Sequence, residues 1–133
     1  RAVEADPKNA KQLGNYANFL CDQRKDYARA EEYYQRSVEA GPQNATQLGN
    51  YAIFLEEQQK DYDKAEEYYR RAVEADPNHA NHLENYAMFL EDQRKDYDKA
   101  EEYYRRAVPS VIHSSLSRGR VVAPLRAIHP SDC

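Results

Sequence analysis

Three asparagines, Asn15, Asn50 and Asn85, recur at intervals of 35 residues in this 133-residue chain. Each lies within one apolar stretch: LGNYANFL, LGNYAIFL or LENYAMFL. An amide side chain offers one acceptor and two donors, so it can bond both the N–H and the C=O of a peptide unit. A row of such amides would hold extended backbone without reading its side chains. Buried without a partner, each would cost a few kcal/mol. The row is therefore either a set of contacts to a partner or a set of polar groups that face solvent or bridge helices. Gly14 and Gly49 precede two of the asparagines. Each costs about 1 kcal/mol inside a helix, and the missing Cβ would let a ligand backbone come close. Glu84 breaks that pattern in the third copy.

Six residues beyond each asparagine lies a mostly acidic pair: Cys21-Asp22, Glu56-Glu57 and Glu91-Asp92. This edge is either a solvated helix face or a preference for partners that carry Lys or Arg. His79 and His82 stand at i,i+3 where a helix should start and could share a metal, but no third donor is in view. His113, His129 and Cys133 make an equally weak trio. There is no nucleophile–base pattern, no glycine-rich phosphate loop and no zinc spacing. The expectation is no catalytic residue, no metal and no cofactor.

The elements that must carry the asparagines follow from self-comparison. Residues 1–35, 36–70 and 71–105 align without gaps, and the second and third copies are identical at 25 of 35 positions. Each copy reads as two helices. In the first, Leu13, Tyr16, Ala17 and Leu20 form the apolar side, at i, i+3, i+4 and i+7. Asn9 and Asn44 are placed as N-caps just after Pro7 and Pro42. Asp26, Asp61 and Asp96 are N-cap residues for the second helix, whose stripe is Tyr27, Ala30, Tyr34 and Val38 in the first copy. On the wheel, Lys11, Asn15, Asn18 and Asp22 lie opposite the apolar side. The equivalent lines are Thr46, Asn50, Ile53, Glu57 and Asn81, Asn85, Met88, Asp92. Two short amphipathic helices cannot bury their stripes alone, whereas stacked copies can.

These residues carry a resemblance. The pattern A…Y…A…L, a short turn, then DY..A…Y..A…P, resembles the tetratricopeptide repeat family over about residues 1–108. The period is 35 rather than the family's usual 34, which places one extra residue in the turn between the helices. Lys25, Lys60 and Lys95 replace the usual small turn residue, and Leu13, Leu48 and Leu83 stand where tryptophan is frequent. The resemblance implies an all-α, right-handed superhelical solenoid of antiparallel helix pairs. It also implies that the first helix of each pair lines a concave groove where partners bind. The partner-binding candidates are then Asn15, Asn18, Asp22, Asn50, Ile53, Glu56, Glu57, Asn85, Met88, Glu91 and Asp92. A known family use is a clamp for a terminal carboxylate. Asn18 and Asn50 match two of its positions, but its basic positions fall on the uncharged Gly14, Asn81 and Asn85, which argues against that activity.

The expected organisation is the end of a preceding repeat at 1–8, repeats at 9–43, 44–78 and 79–108, and a non-repeat tail at 109–133. That tail is a folded cap, a disordered segment or an appended end that is not native. It holds Arg118, Arg120 and Arg126 against Asp132, so of the net charge of −4 the repeat body carries about −6. An acidic body argues against nucleic acid and towards neutral or basic protein partners. No apolar run is long enough to span a membrane. Two cysteines, Cys21 and Cys133, favour a reducing cytoplasm, with an upstream targeting signal left open. The expected function is a non-catalytic scaffold that binds a peptide or helix of a partner. The alternatives are a spacer or array that self-associates through exposed repeat ends, and the regulatory arm of a larger enzyme.

Overall fold

The computed structural model describes residues 7–108. Most of the 1–8 segment and the 109–133 tail lie outside the described residues. Within them the chain is all-α and forms three successive hairpins: α1 (Pro7–Asp22) with α2 (Tyr27–Ala40), α3 (Ala45–Phe54) with α4 (Tyr62–Ala75), and α5 (Ala80–Phe89) with α6 (Tyr97–Ala107). Each hairpin packs on the next through α2 against α3 and α4 against α5. The first helices are also neighbours, α1 beside α3 and α3 beside α5.

The second helices start where their sequence dictates. The side chains of Asp26, Asp61 and Asp96 accept the backbone N–H groups of Arg29, Lys64 and Lys99 at 3.2, 3.3 and 3.2 Å. Each bond satisfies a donor that a helix start otherwise leaves open. Asn44 caps α3 in the same way, through Gln47 N at 3.2 Å. Asn9 does not cap α1. That helix starts two residues earlier, at Pro7, because proline at the first helical position has no N–H to satisfy and a φ already suited to a helix.

The thirty-fifth residue is accommodated differently from repeat to repeat. In repeats 2 and 3 it widens the end of the first helix into a π-helical turn, Leu55–Gln59 after α3 and Leu90–Arg94 after α5, whereas α1 stays α-helical to Asp22. Lys60 and Lys95 then take left-handed backbone, φ 55° and 56°, and Lys25 does so after α1 at φ 52°. This reversal lets one carbonyl accept twice: Leu55 O bonds the N–H of Lys60 and that of Asp61. Asp26 N and Asp96 N bond Leu20 O and Leu90 O likewise.

The core is built from repeated rings. Tyr34 stacks on Tyr51 with centroids 5.9 Å apart, and Tyr69 stacks on Tyr86 at 6.1 Å. Phe54 and Phe89 tilt against the same tyrosines at 5.0 and 5.1 Å. These contacts join one hairpin to the next, so the stack and not the single hairpin buries the stripe. The first copy differs. Tyr16, expected to face inwards, is 37% exposed and Phe19 beside it 43%, because among the described residues no hairpin precedes α1 to cover them.

Candidate functional site

The three equivalent asparagines are carried by α1, α3 and α5, but their surroundings differ. Asn15 is exposed. Asn50 and Asn85 are buried, at 4% and 3% exposure, so the wheel-based expectation of outward amides holds for the first alone. Burial follows from the stack: α3 has α1 on one side and α5 on the other, and α4 packs behind it. Within these two side chains, Asn50 Oδ1 and Asn85 Nδ2 are enclosed without a hydrogen-bond partner. One unpartnered amide atom thus stands at the same position of each of two successive helices.

The neighbouring candidates divide into structural and rim residues. Asn18 accepts the hydroxyl proton of buried Tyr34. Ile53 is buried in the core, so it is not a surface contact. Glu56 is 3% exposed and accepts from Tyr69 Oη at 2.7 Å and from Gln93 Nε2 at 3.1 Å. Its expected place on a charged edge is therefore corrected: both oxygens are used to bind α4 and the next repeat. Glu91 is half-buried and accepts from Tyr104 Oη at 2.9 Å. Asp22, Glu57 and Met88 are half-buried and Asp92 is exposed, so these form the rim of the first-helix face. The backbone carbonyls of Glu57 and Asp92 accept from Lys60 Nζ and Lys95 Nζ, both at 3.0 Å.

Gly14 serves packing within the chain. A Cβ there would lie 1.8 Å from Gln47 Oε1 and 3.2 Å from Ser37 Oγ. The space expected to admit a ligand backbone is filled by the next repeat's own glutamine.

Sequence reasoning missed two features. Arg94, on the second π turn, reaches back to repeat 2 and pairs with Asp63 at 2.7 Å and Glu66 at 2.9 Å. The third donor beside the two histidines is Asp76, and a donor atom from each of Asp76, His79 and His82 lies within 4.8 Å of the others. Its signal was the spacing D-x-x-H-x-x-H, which needs the turn geometry to become visible. Burial, with a smaller contribution from His79 alongside, pushes the His82 imidazole down to about 4, so it is neutral near pH 7.

A family model described as the cilia and flagella-associated protein 70 middle TPR-like domain matches residues 5–125. Among curated proteins, none matches the chain.

Proposed function

The chain belongs to the family of the cilia and flagella-associated protein 70 middle TPR-like domain, and on that premise we propose a non-catalytic protein-interaction scaffold. Its first-helix face takes an extended segment or helix of a partner protein. The observation that carries this reading is the pair formed by Asn50 Oδ1 and Asn85 Nδ2, buried and unpartnered. Buried polar atoms are otherwise bonded almost without exception. Once binding opens the face over them, these amides can meet the N–H and C=O of a partner's backbone. The half-buried or exposed Asp22, Glu57 and Asp92 at the rim give the site its preference for Lys or Arg. The family name points to a setting in cilia or flagella. Among the described residues no helix is long and apolar enough to cross a membrane.

The test is a titration of basic and acidic peptide pools against wild type and the Asn15→Ala/Asn50→Ala/Asn85→Ala variant. Each lost amide contact is worth about 1 kcal/mol, so affinity for the basic pool should fall at least about tenfold. Helical circular dichroism should be retained. Equal affinities would remove the amide contact.

A second reading, self-association end to end, is favoured by exposed Tyr16 and Phe19. The equivalent Tyr51 and Phe54 are covered by Tyr34 of the preceding hairpin, so a hairpin of the same kind complements this face of α1. Contacts of this type are heterologous and do not close on themselves. Sedimentation over a wide concentration range decides: a strict monomer throughout excludes the array.

A further inference from the structure

We propose that Asp76, His79 and His82 bind one divalent transition-metal ion of the zinc type at the turn between α4 and α5. A carboxylate and two imidazoles are the donor set favoured by zinc, cobalt, nickel and copper ions, and disfavoured by calcium and magnesium. The turn brings the three together. His79 N bonds Asp76 O at 3.3 Å, and the start of α5 then places His82 one turn above His79, with ring centroids 4.3 Å apart. A donor atom from each residue falls within 4.8 Å of the other two, and side-chain rotation must close that span to roughly 3.5 Å for tetrahedral bonds of about 2.0–2.2 Å to one ion.

The rings are poised for a ligand in a way that packing does not account for. His82 is 2% exposed, yet neither of its ring nitrogens has a hydrogen-bond partner, and neither has Nδ1 of His79. Leaving such groups buried and unmatched costs free energy.

The preceding repeat is an internal control. Its equivalents of Asp76, His79 and His82 are Gly41, Asn44 and Gln47. There Asn44 caps α3, whereas His79 makes no side-chain cap to α5. Gln47 meets Ser37 Oγ at 3.5 Å, whereas Ala72 stands at the serine's position. The third repeat has thus exchanged a self-satisfied polar cluster for three metal donors and lost the neighbouring hydroxyl. Three protein donors leave a coordination position for water or for a donor from a partner.

The experiment uses the full chain. Zn²⁺ is followed by calorimetry and Co²⁺ by its visible absorption, for wild type, His79→Asn/His82→Gln, His79→Asn alone and His113→Ala/His129→Ala. The double variant restores the residues of the preceding repeat, and the single one installs a better N-cap, so the test survives if the buried change at 82 fails to fold. Expected is one equivalent bound by wild type and by His113→Ala/His129→Ala, with affinity at least a hundredfold lower in the double variant and tenfold lower in the single one. The melting temperature should rise with Zn²⁺ in wild type and not in the double variant. No binding by wild type up to ~1 mM Zn²⁺, or undiminished binding in the folded variants at 79 and 82, overturns the site.

Discussion

The hydroxyl of Tyr69 donates to Glu56 Oε1 at 2.7 Å, and the second oxygen of that carboxylate accepts from Gln93 Nε2 at 3.1 Å. One buried acid therefore ties the two helices of repeat 2 together and joins repeat 2 to repeat 3. The first repeat solves the same problem differently. Cys21 stands at the position of Glu56, and Tyr34 donates instead to Asn18, one helical turn earlier. The third repeat returns to the glutamate form with Tyr104 and Glu91.

Removing Glu56 deletes the acceptor that the Tyr69 hydroxyl and the Gln93 amide share. Glu56→Ala should destabilise the chain by about 2–4 kcal/mol, read from urea unfolding. Glu56→Gln, which keeps an acceptor oxygen, should cost less. Because the carboxylate is withdrawn from the rim, Glu56→Gln should leave the preference for basic peptides unchanged, whereas Glu57→Gln/Asp92→Asn should weaken it. A loss of charge preference on Glu56→Gln alone would contradict this division.

Lys60 and Lys95 hold left-handed backbone at φ 55° and 56°, a conformation costing a non-glycine residue roughly 1 kcal/mol. Each recovers a little through its ammonium, which bonds a carbonyl three residues back at 3.0 Å, at an exposed site where such a bond contributes little. Lys60→Gly should therefore be neutral to stabilising, by up to about 1 kcal/mol. Lys60→Val, β-branched at the same φ, should destabilise. Thermal melts of the pair decide; a glycine variant markedly less stable than wild type would show that the lysine contact outweighs the strain.

Burial raises the phenol groups of Tyr34, Tyr51 and Tyr86 above the ordinary value near 10, with Asp22, Glu31 and Glu66 respectively adding to the rise. A raised acid in the folded state means that the unfolded chain ionises first. The stability contributed by the neutral phenols is complete below pH 10 and is lost as pH rises through and beyond it. Denaturation midpoints should fall steeply above pH 10. Tyr34→Phe/Tyr86→Phe should start lower at pH 7, through the lost hydrogen bonds, and fall less steeply. Parallel curves for the two proteins would refute the linkage.

What could be read from the chain was what repeats. The period, the aspartate caps at 26, 61 and 96 and the stripe of Ala30, Tyr34 and Val38 depend on local spacing, and local spacing is visible in one dimension. The π turns were not, because an added residue can widen a helix or lengthen a loop, and only the position of the left-handed lysine distinguishes the two. Burial of Asn50 and Asn85 depends on helices from neighbouring repeats, which a single helical wheel omits. Glu56 was misplaced for the same reason: its partners are Tyr69, 13 residues away, and Gln93, 37 residues away.

Phe19, Phe54 and Phe89 occupy one repeat position and so separate the effect of stacking from that of residue type. Phe54 and Phe89 are fully buried, each against the tyrosine of the hairpin before it. Phe19 lacks such a cover, lying beside Tyr16 with its ring 6.4 Å away and the Arg24 guanidinium 5.6 Å from its centroid. Truncation of a buried phenylalanine costs about 3–5 kcal/mol. Phe54→Ala and Phe89→Ala should fall in that range, or prevent folding. Phe19→Ala should cost about 1 kcal/mol or less. The milder variants Phe54→Leu and Phe89→Leu keep the comparison measurable if alanine is not tolerated, and should still cost more than Phe19→Leu. Equal losses at all three positions would mean that the open face of α1 is covered in solution, and would direct attention to what covers it.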